Sequence, residues 1–176
     1  MSPTLETRVA ADPLAAAYQS HKDALLTMAF HLLGERSAAE DVLHDVFVKL
    51  VRRRVVLRDI KDLKGYLLMS CLNRARDYLR KKRPDLVPVE SLDRHAHAGV
   101  DATTTVGRHD EAASVARRLR TLPDEQREVV VLRVYGELRF PEIGTLCGIS
   151  PNTARSRYRY AMTSLRSWMS EEGAPA

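Results

Sequence analysis

Leu138–Trp168, LRFPEIGTLCGISPNTARSRYRYAMTSLRSW, is the stretch whose reading decides the fold. Its apolar spacing predicts a short helix from about Phe140 to Cys147, a break at Gly148-Ile149-Ser150, and a longer helix from Pro151 onward. That is the helix-turn-helix plan. Gly148 follows the first helix, where a residue tolerant of positive φ is wanted. Ser150 offers a hydroxyl to cap the second helix, and Pro151 at its first position gives up only an N–H that had no partner. Ile143, Leu146, Ile149, Ala154, Tyr158, Ala161 and Leu165 recur at threes and fours and make one apolar stripe. The opposite face carries Asn152, Thr153, Arg155, Ser156, Arg157 and Arg159, and no acid occurs between Pro151 and Ser170. Such a face suits base edges and phosphates in the DNA major groove, although a solvated helix in an ordinary bundle has the same pattern.

Working outward, the preceding residues extend this unit toward the N-terminus. HDEAASVARRLRTL, from His109, and DEQREVVVLRVYG, opened by Pro123-Asp124, read as two more helices. Val115, Leu119, Leu122, Val129, Val130, Leu132 and Val134 are expected to cover the inner face of the helix-turn-helix. Before them, from Arg83 to about Val106, prolines, small residues, threonines and the pair His95 and His97 show no apolar period. This segment reads as a flexible linker, 84–107, between a helical domain at 13–83 and another at 108–170. The histidines have no cysteine or carboxylate set beside them, and no metal site is expected.

The N-terminal domain reads as three helices. Pro13 opens the first, with Leu14, Ala17, Tyr18, Leu25, Met28, Ala29, Leu32 and Leu33 on one side and Gly34 ending it. Ser37-Ala38-Ala39-Glu40 has the spacing of a capping box and predicts the start of the second. Val42, Leu43, Val46, Phe47 and Leu50 face its core, with Glu40, Asp41 and Asp45 early and Lys49, Arg52, Arg53 and Arg54 late. That charge order complements the helix dipole and equally fits a docking surface. The third helix, from about Gly65, carries Tyr66, Leu67, Cys71, Leu72, Ala75 and Leu79 as its buried stripe. It ends in a run of 6 basic residues and one acid between Arg74 and Arg83. The run suits the negative pole of the helix, or a row of phosphate contacts with Tyr66 and Tyr78 ready to stack on unpaired bases.

Composition agrees with an all-α chain that meets a polyanion. The formal net charge is +5 and the pI about 9.4, with 6% aromatic residues and no period-two strand pattern of any length. Cys71 and Cys147 lie in helical patterns and read as reduced thiols. No segment approaches the ~18 apolar residues of a membrane span and the N-terminus lacks the apolar core of a signal peptide, so a soluble, cytoplasmic chain is expected. No nucleophile–base pair or glycine-rich phosphate loop stands out, and catalysis is not expected.

Two helical domains, each ending in a basic helix and joined by a proline-containing tether, resemble the extracytoplasmic-function (ECF) group of bacterial RNA polymerase sigma factors. The likeness spans about Leu14–Arg83 and Glu111–Trp168. LLGERSAAEDVLHDVFVKL and Asp77-Tyr78-Leu79-Arg80-Lys81-Lys82 are similar to the family's region 2. Leu122-Pro123-Asp124-Glu125-Gln126-Arg127-Glu128-Val129, IGTLCGIS, Thr153 and Arg155-Ser156-Arg157 are similar to its region 4.

The resemblance implies that the chain binds core RNA polymerase, at the clamp coiled coil and the flap of its large subunits, and carries it to promoter DNA. Asp41, Leu43, His44 and Asp45 would dock on the clamp. Lys61, Lys64, Tyr66, Asn73, Arg74, Asp77, Tyr78, Arg80 and Lys81 would meet the start-proximal element and an extruded base. Arg139, Asn152, Thr153, Arg155, Ser156, Arg157 and Arg159 would meet the upstream element. Many members of the family are held by an anti-sigma factor, which the resemblance adds as a partner. His44 stands in the clamp-docking helix where the family usually has glutamine, and Tyr160 in the recognition helix where it usually has arginine, the second of which implies an unusual promoter preference. Two other classes remain at this point: a dimeric helix-turn-helix regulator that binds DNA alone, and a sigma-like interaction protein that reads no promoter.

Overall fold

A computed structural model of the chain describes residues 13–52, 59–82 and 108–172, and the expected linker at 84–107 lies outside them. Among the described residues the regular structure is entirely helical, as expected. The first three helices are α1 (Pro13–Leu33), α2 (Arg36–Arg52) and α3 (Leu63–Lys82). The remaining four are α4 (Arg108–Leu119), α5 (Asp124–Val134), α6 (Phe140–Cys147) and α7 (Pro151–Glu172).

The helices α1, α2 and α3 pack pairwise around Leu25, Met28, Ala29, Leu32, Val42, Leu67, Leu68, Cys71 and Leu72, all buried. Fully burying one such leucine contributes about 1.5 to 3 kcal/mol, so these positions carry the unit. On α3 the expected residues Leu67, Cys71, Leu72 and Ala75 are buried, but Tyr66, also expected inside, faces outward, and Leu68 joins the stripe instead. The start of α3 also comes two residues earlier than expected. There the Asp62 carboxylate accepts the Gly65 N–H at 2.9 Å and supplies the cap.

The start of α2 differs too. Glu40 turns to Arg36, 2.9 Å away, and the Ser37 hydroxyl donates to Glu35, so the expected capping box does not form. The Glu35 carboxylate also receives Lys82 at 3.0 Å, and these bonds hold its pKa below the usual carboxylate range. An alternative partner one turn away has won over the local motif.

The helices α5, α6 and α7 form the second unit, closed over Val129, Val131, Leu132, Ile143, Ala154 and Ala161. Val115 and Val134, expected inside, are exposed, and Ala116, Val131 and Leu138 take the inner places. Arg127 was not expected in this interior, yet it is buried and pairs with Asp124 at 2.5 Å. The two units touch. The helix α4 lies chiefly against α1, and α5 also meets α1. Buried apolar residues therefore run continuously from one unit into the other. The Arg120 side chain covers Gly34, whose φ of +72° and tight cover leave no room for a Cβ.

Candidate nucleic-acid interface

The turn between α6 and α7 fixes the direction of the recognition helix. Gly148 takes φ 67°, and its N–H and that of Ile149 both reach the Gly144 carbonyl, the latter at 2.9 Å. Ser150 accepts the Thr153 N–H at 3.0 Å and caps α7. Glycine is required at 144 as well, since a Cβ there would lie 2.8 Å from the Ile149 carbonyl oxygen. At the start of α6 the Glu142 carboxylate takes the Arg139 backbone N–H at 2.6 Å, a bond that holds the carboxyl below its ordinary pKa. Arg139 is thus the cap residue, with its guanidinium largely exposed and loosely paired to Glu142 at 3.4 Å.

Along α7, Asn152, Thr153, Arg155 and Arg159 are exposed and Ser156 is half-exposed, one continuous face with no acid on it. Phe140 steadies this face: the Arg155 guanidinium lies 5.6 Å from its ring centre and Tyr158 meets it edge-on. Two expected contact residues are differently engaged. The Thr153 hydroxyl is bonded to Ser150 at 2.8 Å. Arg157 turns away from the face and pairs with Glu125 on α5, so it braces α7 against the unit. Its place in an Arg-Ser-Arg string hides this, because alternate residues on a helix lie on different sides.

The second cluster surrounds a groove of about 700 Å³ between α2 and α3, lined by Asp45, Lys49, Tyr66, Asn73, Arg74 and Asp77 among others. It brings together four of the nine residues expected at the start-proximal element. Arg74 does not stand free there: its guanidinium donates to the Asp45 carboxylate from two nitrogens, Nε at 2.8 Å. Asp77 and Arg80 pair with each other at 2.7 Å, and Tyr78 is half-buried with the Lys82 ammonium 5.9 Å from its ring. Lys61 and Lys81 are exposed, whereas Lys64 reaches across to Glu137 of the second unit at 3.3 Å.

The four residues expected to dock on polymerase divide in the same way. Asp41 and His44 are exposed on α2. Leu43 is buried among the core residues and offers no surface. Asp45 belongs to the groove with Arg74 rather than to the outer face. On the helix, Asp41 lies between His44 and Asp45, about 60° from one and about 40° from the other, so spacing alone does not say which of the flanking pair meets α3.

Two further contacts that cross between the units were not anticipated. Arg76 on α3 meets Glu128 on α5 through two parallel bonds of 2.7 and 2.6 Å, which raise the pKa of the guanidinium. His31 at the end of α1 stacks on Tyr135, centroids 3.9 Å apart and planes 13° apart. Burial pushes the His31 imidazole down to a pKa of about 4. Within the basic run Arg76 was indistinguishable from its neighbours, and His31 was a lone histidine in an apolar helix.

Comparison with known proteins matches residues 17–84 to the family described as sigma-70 region 2 and residues 112–165 to sigma-70 region 4. RNA polymerase sigma factor CarQ of Myxococcus xanthus is 32% identical over 138 residues, 76% of this chain and 75% of CarQ. The Mycobacterium tuberculosis protein named probable ECF RNA polymerase sigma factor SigI is 28% identical over 82% of this chain. The chain spans about half, 51%, of that relative's length. Among solved structures, the sigma factor RpoE of Bartonella quintana, crystallised with the anti-sigma factor NepR, superposes with a TM-score of 0.65. The match covers 88% of this chain and 95% of RpoE at 22% identity, a likeness of fold. With both sigma-70 regions present in order and such relatives on either side of it, the chain belongs to the ECF group of RNA polymerase sigma factors.

Proposed function

We propose that this chain binds core RNA polymerase, directs it to chosen promoters and assists strand opening, and that it catalyses no reaction of its own. One observation carries the reading: the acid-free outer face of α7, aimed by a capped turn, shares the chain with a second basic helix bordered by an exposed tyrosine. Asn152, Arg155, Ser156 and Arg159 read the upstream element, with Arg139 and Thr153 at its edge. A bidentate arginine contact gives about 1 to 3 kcal/mol of base discrimination, so a few such contacts suffice. Tyr66, Asn73, Arg74, Asp77 and Arg80 receive the opened strand at the α2–α3 groove, where stacking adds about 1 to 3 kcal/mol per base. Lys61, Lys64, Tyr78 and Lys81 support that strand, the lysines by charge. Asp41 and His44 dock on the clamp, and the second unit on the flap.

Each unit has few contacts, and polymerase raises their joint affinity by making the second encounter intramolecular. The work takes place in the cytoplasm beside the polymerase, and an anti-sigma factor of the class that RpoE binds is the expected antagonist. In vitro transcription with purified core polymerase on a genomic library tests the proposal. Start sites that depend on the added chain, and vanish with Arg155→Glu and Arg159→Glu, are the expected result. Transcription that survives both charge reversals, or sequence-specific duplex binding of full strength without polymerase, refutes it.

A further inference from the structure

Tyr160 is the most exposed of the tyrosines, at 57% against 37% for Tyr18 and Tyr66. Lone aromatic side chains occur on any protein surface, so exposure by itself assigns no role. The place of Tyr160 on α7 is what sets it apart. It stands one turn beyond Ser156 and two turns beyond Thr153, about 40° and about 20° from them around the axis. That is the outward side of α7, which also carries Asn152 and Arg159 and no acid. Tyr158, two residues earlier, turns the other way, packs on the core and meets Phe140 edge-on. The Arg159 guanidinium lies 5.4 Å from the Tyr160 ring centre, so this exposed aromatic surface is flanked by an exposed cation.

We propose that Tyr160 sets a base preference in the upstream element: its ring receives the C5-methyl group of one thymine in the major groove, while Arg159, beside the ring, takes an adjacent phosphate. This rests on the reading of α7 as the helix that enters that groove. Of the four base edges exposed there, thymine alone carries an apolar group, and apolar side-chain contact is what distinguishes it. A phenol ring is carbon over most of its surface, with one hydroxyl at its tip. It gives a methyl group close contact and gives a polar base edge one hydrogen bond at most. Asn152 and Arg155 suit adenine and guanine edges, so the face combines polar readout near the start of α7 with apolar readout at Tyr160. The ring and the methyl group lose their water together, and that shared loss is the source of the discrimination. Arg159 adds attraction to the backbone without choosing a base.

The test uses holoenzyme reconstituted from core polymerase and the full chain, on a promoter whose start site depends on the chain. Each thymine on either strand of the upstream element is replaced in turn by deoxyuridine, which removes the methyl group and leaves base pairing intact. The initial rate at subsaturating holoenzyme is read as the ratio of thymine to uracil template for each variant, so a general loss of activity cancels. Wild type is expected to lose roughly 4-fold at one position, the worth of one buried carbon. Tyr160→Phe is expected to keep that loss, and Tyr160→Ala to abolish it. Rates in wild type that uracil leaves unchanged at every position overturn the proposal, as does an upstream element that contains no thymine. A penalty that persists in Tyr160→Ala overturns it too, because a tyrosine that merely braced Arg159 would lower all rates alike and leave the ratio as it was. Arg155→Glu on the same templates separates the two readings. Transcription that survives it removes α7 from the promoter and the thymine contact with it. Transcription that is lost, beside a wild type indifferent to uracil, removes the thymine contact alone.

Discussion

His31 shows what one residue does to the pH response of the whole. Its ring is buried against Tyr135 and Phe30, and desolvation lowers its pKa from 6.5 to about 4. A lowered folded-state pKa means that the unfolded chain binds the proton more readily. The stability is therefore complete above pH 6.5 and is lost as pH falls from 6.5 toward 4, by about 3 kcal/mol in all. Urea denaturation at pH 7.5 and 4.8 is expected to show most of that loss, and His31→Gln to flatten it. The carboxylates Glu35 and Glu142 are likewise shifted down, from an ordinary value of 4.5, and so withdraw their contribution only at lower pH. A His31→Gln variant that kept the full slope between pH 6.5 and 4.8 would remove the histidine from the account. The thiols obey the same physics. Burial pushes Cys71 up to about 12 and also raises Cys147, so a thiol reagent at pH 8 is expected to leave Cys71 unmodified in the folded chain.

At the level of the element, the turn before α7 holds two glycines whose substitution is expected to cost for different reasons. Gly144→Ala places a Cβ 2.8 Å from a backbone oxygen that cannot yield without moving Ile149, whereas Gly148→Ala meets open space and suffers only from its φ of 67°. The second cost is about 1 kcal/mol. The first is expected to exceed it, to lower the melting temperature further, and to weaken promoter-dependent transcription although neither residue is among the proposed DNA contacts. Equal melting temperatures for the two variants would contradict the geometry of the turn. Ser150→Ala removes the cap and costs a further ~1 kcal/mol. The roles of Gly148, Ser150 and Pro151 were legible in the sequence, because glycine, serine and proline at a helix junction each carry one local meaning; that of Gly144 was not, since it depends on the approach of the Ile149 carbonyl. The start of α2 was not, because Ser37 and Glu40 had partners in Glu35 and Arg36 that a four-residue motif does not weigh. Within α7 the period separated core from surface but not Arg155 from Arg157, whose difference is the carboxylate of Glu125 on another helix. Arg159→Gln is expected to lower the salt slope of promoter binding by about 1. Arg157→Gln, which loses a brace, is expected to reduce stability and leave that slope nearly unchanged.

For the whole molecule, the sequence predicted two units and a tether but was silent on how the units meet. Amphipathic stripes say which face of a helix is buried and leave open which partner buries it. The helix α4, read from the sequence as part of the second unit, packs mostly on α1, with Ala116 and Leu119 buried and Val115 outside, while Arg118 lies over the Trp168 ring of α7. Independent units would melt in two transitions, the smaller first. Continuous packing through α1, α4 and α5, with Arg76–Glu128 and His31–Tyr135 at the seam, couples them, and one cooperative transition is expected at neutral pH and low salt. Leu119→Ala leaves a cavity at the bridge and is expected to cost about 2 to 5 kcal/mol, lowering that single transition as a whole. Glu128→Gln/Glu137→Gln is expected to act differently, splitting the melt into two steps because each unit keeps its own core while the charges between them are gone. Calorimetry distinguishes the cases by the ratio of calorimetric to van't Hoff enthalpy: near one for wild type and for Leu119→Ala, above one for the glutamine variant. A wild-type ratio well above one would mean that the two units fold side by side without support from each other, and that the contact between α1, α4 and α5 does nothing for stability.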